Sequence, residues 1–284
     1  MEKIYSIIFV TICCTTSWGW TGGSHAILTR AAVAALPAEM PDFFRRGAVL
    51  ASHCVYDADL FKNRSLPGLR KAESPEHFYN WELMGGRALP ATRYGFVELC
   101  AREDLKPSRV GLLPYAVAEW TQRLALALAE YRKWPEDQAI RSKCLVYAGF
   151  IAHYAEDLCQ PLHLTIHYDG RANADGSSPH IGIHKKIDAL VEKLDFEPQE
   201  LAAGQDVAAL GALMPGIEEQ IEASRALIPL VYELKESLGG REAPKVRAFA
   251  LERARASIRF TAALYLTAWE MSARVKLPSW HRRE

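Results

Sequence analysis

The sequence predicts an all-α protein built as a single multi-helix domain. Three observations lead there. Apolar residues recur at helical spacing in several long stretches, no segment sustains the alternation of a half-buried strand, and the breaks between stretches fall on Pro, Gly and Asn. The 284 residues are 49% hydrophobic and 24% charged, the proportions of a soluble globular chain with a substantial core. Basic and acidic side chains balance at 34 each, so nothing points to a global polycationic surface, although a local patch stays open.

Residues 1–19 read as a signal peptide, with Lys3 before the apolar run Ile4 to Cys14 and small residues after it. The run is too short to span a bilayer, so the chain is expected to be secreted or periplasmic, without stable membrane insertion. Cleavage before Trp20 or before Trp18 both satisfy the small-residue rule. Next, Ser24 can cap a helix from His25 to Leu36, closed by Pro37. A second helix starts near Pro41 and carries Phe43, Phe44, Val49 and Leu50 at helical spacing. Residues 54–80 look irregular, broken by Asn63, Pro67, Gly68 and Pro75.

Residues 113–132 form the strongest amphipathic helix, with Leu113, Val117, Trp120, Leu124 and Leu128 on one face. Another begins near Ala139 and runs toward Pro161, which cannot continue it. A polar loop, 169–179, precedes helices over 181–194, 216–238 (stopped by Gly239 and Gly240) and 244–275. Pro229 should kink or split the second of these. The mature domain is therefore 20–275, with 276–284 as a tail. Export leaves Cys54, Cys100, Cys144 and Cys159, which allow two disulfides of undetermined pairing or four buried thiols. Thiolate zinc is disfavoured because no Cys-x-x-Cys occurs.

The chemistry-bearing residues gather around 153–163. His153 and Asp157 are four apart, so on a helix they share a face with Cβ atoms roughly 5–6 Å apart. Pro161 then turns His163 out of that register. His184 and Asp188 repeat the spacing, and His25, Asp57 and His77 add further imidazole and carboxylate. Any one pair taken alone better suits a helix end with a buried His and a solvated Asp. The joint set, rich in nitrogen and oxygen and free of thiolate, suits catalytic zinc with open positions.

With these residues in place, the chain resembles the zinc-dependent phospholipases C and the related single-strand-specific zinc nucleases. The resemblance rests on Trp20-x₄-His25, the His77-Phe78-Tyr79 block, His153-x₃-Asp157-x₅-His163 with Gln160-Pro161 before Leu162, and His184-x₃-Asp188. It implies an all-α fold around a cleft with three Zn²⁺. Asp57, His77, His153 and Asp157 would hold one ion, and His163, His184 and Asp188 a second. His25, Asp157 and the free amino and carbonyl groups of Trp20 would hold the third. Asp157 would bridge two metals, and Asp57, preferred over Asp59, would also help orient the attacking water. Glu156 can support an imidazole or face solvent.

The implied activity is phosphodiester hydrolysis by a metal-activated hydroxide, in a protein expected to be monomeric. The block His184-Lys185-Lys186-Ile187-Asp188 favours the phospholipase C-like branch, with a phospholipid headgroup or other phosphodiester as substrate. Single-stranded nucleic acid is the alternative, with Phe78, Tyr79, Trp81, Tyr154 and Tyr168 available for base stacking. A third reading is a non-catalytic exported zinc-binding helical protein.

Overall fold

The computed structural model describes residues 20–238 and 243–282. The predicted signal peptide and the Gly239-Gly240 stop lie outside the described residues. Among the described residues there is no strand, only an isolated bridge between Tyr168 and Gly170. The chain runs α1 (Gly22–Ala34), α2 (Asp42–Arg46), α3 (Ala48–Cys54), α4 (Asp57–Phe61), α5 (Pro67–Glu73), α6 (Arg93–Arg102) and α7 (Pro107–Val110). Then follow the long helices α8 (Leu113–Lys133) and α9 (Gln138–Cys159). After these come α10 (Ile183–Asp188), α11 (Leu190–Lys193), α12 (Pro198–Ala202), α13 (Leu213–Arg225), α14 (Ile228–Glu233) and α15 (Pro244–Ser272).

Helix α9 is the central post, packed against α1, α3, α8 and α15. It starts where the Asp137 carboxylate accepts the N–H groups of Ala139 and Ile140 at 2.8 and 3.1 Å. Its C-terminal half is buried on every side from Ala148 to Cys159. Helix α8 lays Leu113, Val117, Leu124 and Leu128 into the core, and Trp120 stacks on Phe150 of α9 at 4.2 Å. Each such leucine contributes roughly 1.5–3 kcal/mol when fully buried. Helix α15 closes the other side, with the Tyr265 hydroxyl donating to the Ala148 carbonyl at 2.9 Å.

Several expected boundaries move, each for a local reason. Helix α1 starts three residues early because Thr21, not Ser24, is the cap; its hydroxyl accepts the Ser24 N–H at 3.3 Å. The expected helix after Pro41 breaks at Gly47, where a Cβ would stand 2.3 Å from the Leu145 side chain. Val49 consequently faces solvent rather than core. The stretch 54–80 is not irregular but holds α4, α5 and a 3₁₀ turn, Ser74–His77. Pro229 does split its helix, separating α13 from α14. All four mature cysteines are free and buried, and burial lifts the Cys144 and Cys159 thiols to about 12. The tail is partly docked: His281 Nε2 lies 2.7 Å from Glu130 Oε1.

One contact carries the fold into the site. Gly149 sits where α3 crosses α9, and a Cβ there would meet Cys54 Cβ at 2.7 Å and the Ala51 carbonyl at 2.8 Å. That approach delivers the Val55 carbonyl, just beyond α3, to His153 one turn further along α9, where it accepts from Nδ1 at 2.9 Å.

Candidate metal centre

Seven of the predicted side chains converge below a cleft of about 590 Å³. With Asp59 they form three groups, the first two sharing His153: His25, His153 and Asp157; Asp59, His77 and His153; and His163, His184 and Asp188. All eight residues are buried. Helix α1 supplies His25, α4 supplies Asp59, α9 supplies His153 and Asp157, and α10 supplies His184 and Asp188. His77 and His163 come from two 3₁₀ turns that hold each other. The Tyr79 N–H donates to the His163 carbonyl at 2.8 Å, and His163 Nδ1–H donates to the His77 carbonyl at 2.5 Å. Arg93 braces the His77 turn by bonding Glu76 within it and Glu119 on α8.

Of the two alternatives at this position, Asp59 rather than Asp57 lies in the cluster. Asp59 Oδ1 lies 3.9 Å from His153 Nε2, while Asp57 is half-buried and belongs to none of the three groups. Asp57 and Asp59 are two positions apart on a helix, so one facing the cluster turns the other away. Trp20 is fully buried, and its indole N–H donates to the Glu156 carbonyl at 2.9 Å.

The imidazoles are oriented alike. A carbonyl oxygen can only accept, so Nδ1 carries the proton in His153, His163 and His184, which face the carbonyls of Val55, His77 and Tyr168. His25 Nδ1 likewise donates to Glu156 Oε2 at 2.6 Å. In His153, His163 and His184 the Nε2 lone pair is left pointing inward, and His25 Nε2 faces Asp157 Oδ1. His163 Nε2 and His184 Nε2 are 3.1 Å apart, and neither has a hydrogen to offer the other. His184 Nε2 is 3.4 Å from Asp188 Oδ2, which has no hydrogen-bond partner. Asp157 serves two groups: Oδ1 is 3.5 Å from His25 Nε2, and Oδ2 is 3.4 Å from His153 Nε2 and 3.1 Å from His77 Nδ1.

These distances test the fit of a metal ion. Ligand atoms on a tetrahedral zinc with bonds of about 2.0–2.1 Å stand about 3.3 Å apart. The opposed lone pairs and carboxylate oxygens match that edge, and nothing but a cation or a proton relieves their repulsion. Buried polar atoms without partners are also costly. His25 Nε2, Asp157 Oδ1 and Asp188 Oδ2 are three such atoms, all aimed into the cluster. The residues present fit zinc.

The electrostatics agree. Burial opposes the charged forms of His153 and His184, holding them down to about 4 and about 3, so both are neutral ligands at pH 7. Burial works against ionised Asp157, but the imidazoles of His163 and His153 outweigh it and hold the carboxyl well below the usual range. Burial pushes Asp188 well above that range, offset only in part by the Gln160 amide. Such a carboxylate needs a positive charge beside Oδ2. Burial also opposes charged His25, yet the neighbouring carboxylates of Asp157 and Glu156 lift it to about 10. A metal on His25 therefore has to displace a proton.

Supporting residues escaped the sequence reading. Gln160 Nε2 donates to Asp188 Oδ1 at 2.7 Å, fixing the carboxylate; its place just before Pro161 was the one available signal. Lys62 Nζ sits 2.6 Å from Asp59 Oδ1, and Glu73 Oε1 lies 3.3 Å from His77 Nε2. Both stand three or four residues from a ligand on a short helix, a spacing visible only once those helices are known. Of the aromatic candidates, Phe78 and Tyr168 line the cleft. Tyr154 is core with its hydroxyl on Glu73, Tyr79 is buried, and Trp81 lies under Arg225 at 3.4 Å.

No family model matches the sequence, and no curated protein matches it. Among solved structures, the chain is similar to the alpha toxin of Clostridium absonum, at 13% identity and a TM-score of 0.44, over 91% of this chain and 68% of that one. The alpha-toxin of Clostridium perfringens, from an avian strain, gives 13% identity and 0.39 over 90% and 66%. About a third of each of those chains thus has no counterpart here, and at these values the metal centre stands on its own geometry.

Proposed function

We propose that the protein is an exported zinc-dependent phosphodiesterase of phospholipase C type. One observation carries the reading: three imidazoles, His153, His163 and His184, each pinned through Nδ1 by a backbone carbonyl, turn their Nε2 lone pairs into a buried cluster with Asp157 and Asp188 at the floor of an open cleft. Three zinc ions would be held by Asp59, His77, His153 and Asp157; by His163, His184 and Asp188; and by His25 with Asp157 and the freed amino terminus at Trp20. When bound, zinc supplies Lewis acidity and a water that ionises near neutral pH.

The chain's own residues do the rest. Asp157, with one oxygen toward His25 and the other toward His77 and His153, fixes the spacing of two subsites. Gln160 holds Asp188 and Glu156 holds His25, keeping both in ligating orientation. Lys62, paired with Asp59 at the cleft wall, puts a positive charge where phosphoryl oxygens would enter. Leu60, Leu162 and Phe78 give the cleft apolar walls that limit water around the scissile bond.

Structural zinc sites are closed, whereas Asp59, His77, His163 and His184 line an accessible cleft, which favours catalysis over a purely structural role. The nuclease reading keeps one supporting observation: Arg64 and Arg70 line the same cleft and suit a second phosphate of a strand. The test pairs metal analysis of the mature protein with hydrolysis of a phospholipid headgroup substrate, single-stranded DNA and RNA. About three zinc per chain and chelator-sensitive lipid hydrolysis are expected. His153→Ala and Asp157→Asn should abolish turnover with the helical spectrum retained; undiminished turnover in either variant, or fewer than two zinc, refutes the assignment.

A further inference from the structure

The segment between Asp59 and Glu73 has a composition unlike the rest of the surface. It contains Lys62, Arg64, Arg70 and Lys71 and no acidic residue. It also exposes three leucines: Leu60 at 61%, Leu66 at 56% and Leu69 at 41%. Helix α5, which begins one residue after Leu66, buries none of its residues. The segment is continuous with the cleft, since Leu60, Lys62, Asn63, Arg64 and Arg70 line it.

Exposed leucines in a segment that borders a site favour an apolar partner, and the cations interleaved with them an anionic one. A lipid surface rich in anionic headgroups supplies both: leucines enter the acyl boundary while cations meet phosphates. A nucleic-acid strand would use the arginines but leave the leucines in water. We propose that residues 60–71 seat the mouth of the cleft on an anionic lipid surface. Lys62 is engaged by Asp59, and the charge offered to the lipid is that of Arg70 and Lys71. This rests on the phosphodiesterase reading for its purpose but not for its physics, because docking needs no metal chemistry.

The experiment measures sedimentation of the full mature protein with vesicles of phosphatidylglycerol mixed into phosphatidylcholine, against phosphatidylcholine alone, with and without chelator. Each of these two cations is expected to raise partitioning roughly fivefold, giving about a twenty-fivefold preference for the anionic vesicles that added salt weakens. The double variant L66E/L69E should lose about tenfold or more per leucine. It should still hydrolyse a short-chain monomeric lipid at the wild-type rate and melt at the wild-type temperature. Equal binding to both vesicle types, or wild-type binding by the double variant, overturns the proposal. So does tighter binding to a single-stranded oligonucleotide that the leucine changes leave intact. Hydrolysis of the monomeric lipid without vesicle binding removes the docking surface alone. Chelator-resistant vesicle binding without any hydrolysis supports the docking surface and removes the phosphodiesterase reading alone.

Discussion

Metal removal should destabilise this fold, and the size of the effect follows from the cluster. His25 Nε2, Asp157 Oδ1 and Asp188 Oδ2 are buried polar atoms without hydrogen-bond partners. Each such atom costs about 1–3 kcal/mol, so metal coordination of the three is worth about 3–9 kcal/mol. A domain of this size moves by roughly 2–4 °C per kcal/mol. Chelation should therefore lower the melting temperature by about 6–36 °C, with zinc restoring it. The assay is a thermal melt followed by circular dichroism, on protein treated with chelator and then titrated with zinc. The effect should fade in acid, because protons compete with zinc for the same lone pairs and for the His25 nitrogen already protonated up to about 10. A melting temperature unmoved by chelator would refute the reasoning, since the inward lone pairs would then be relieved by something other than metal.

Four further outcomes are expected. Asp59→Asn should lower activity by about a hundredfold or more through loss of a ligand, while Asp57→Asn stays near wild type; the reverse order in initial rates would restore Asp57 to the site. Gln160→Ala, which frees Asp188 to rotate, should weaken zinc binding about 10–100-fold in a competitive chelator titration. Gly149→Ala should cost about 1–3 kcal/mol in urea unfolding and reduce metal content, because α3 must retreat and carry the Val55 carbonyl away from His153. Burial would raise Glu130, but its bonds to Lys143 and His281 outweigh that and hold it below the ordinary 4.5. Its contribution is thus complete above pH 4.5 and lost as pH falls through the lower folded value, so the stability gap to Glu130→Gln should shrink over that window.

What could be read from the sequence depended on length. Helices α8 and α9 run for 21 and 22 residues, enough for the apolar stripe to repeat many times; both ends of α8 and the start of α9 fell within a residue of expectation. Helices α4 and α5 have 5 and 7 residues, too few turns for periodicity to register, and α5 buries nothing at all. The same reasoning explains Gly47. Phe43, Phe44 and Leu50 fit one continuous helix, and only the Leu145 side chain pressed against Gly47 divides it, which is a tertiary fact.

The site divides along the same line. His153-x₃-Asp157 and His184-x₃-Asp188 were legible because their ligands repeat at one helical turn, and the spacing itself carries the geometry. Asp59 was not, because choosing between Asp57 and Asp59 means knowing which face of a one-turn helix meets α9. Ala58 and Asp59 are buried there while Asp57 is only half-buried, and no residue nearby announces that in advance. The partners that orient the imidazoles were also out of reach. Three of them are backbone carbonyls, those of Val55, His77 and Tyr168, whose identity as residues is irrelevant to their role. A sequence states which side chains can bind metal, but the tautomer that makes them ligands is set by carbonyls it does not mark. The candidate metal centre therefore depends on the close crossing at Gly149 and on the paired turns at His77 and His163 as much as on the candidate ligands themselves.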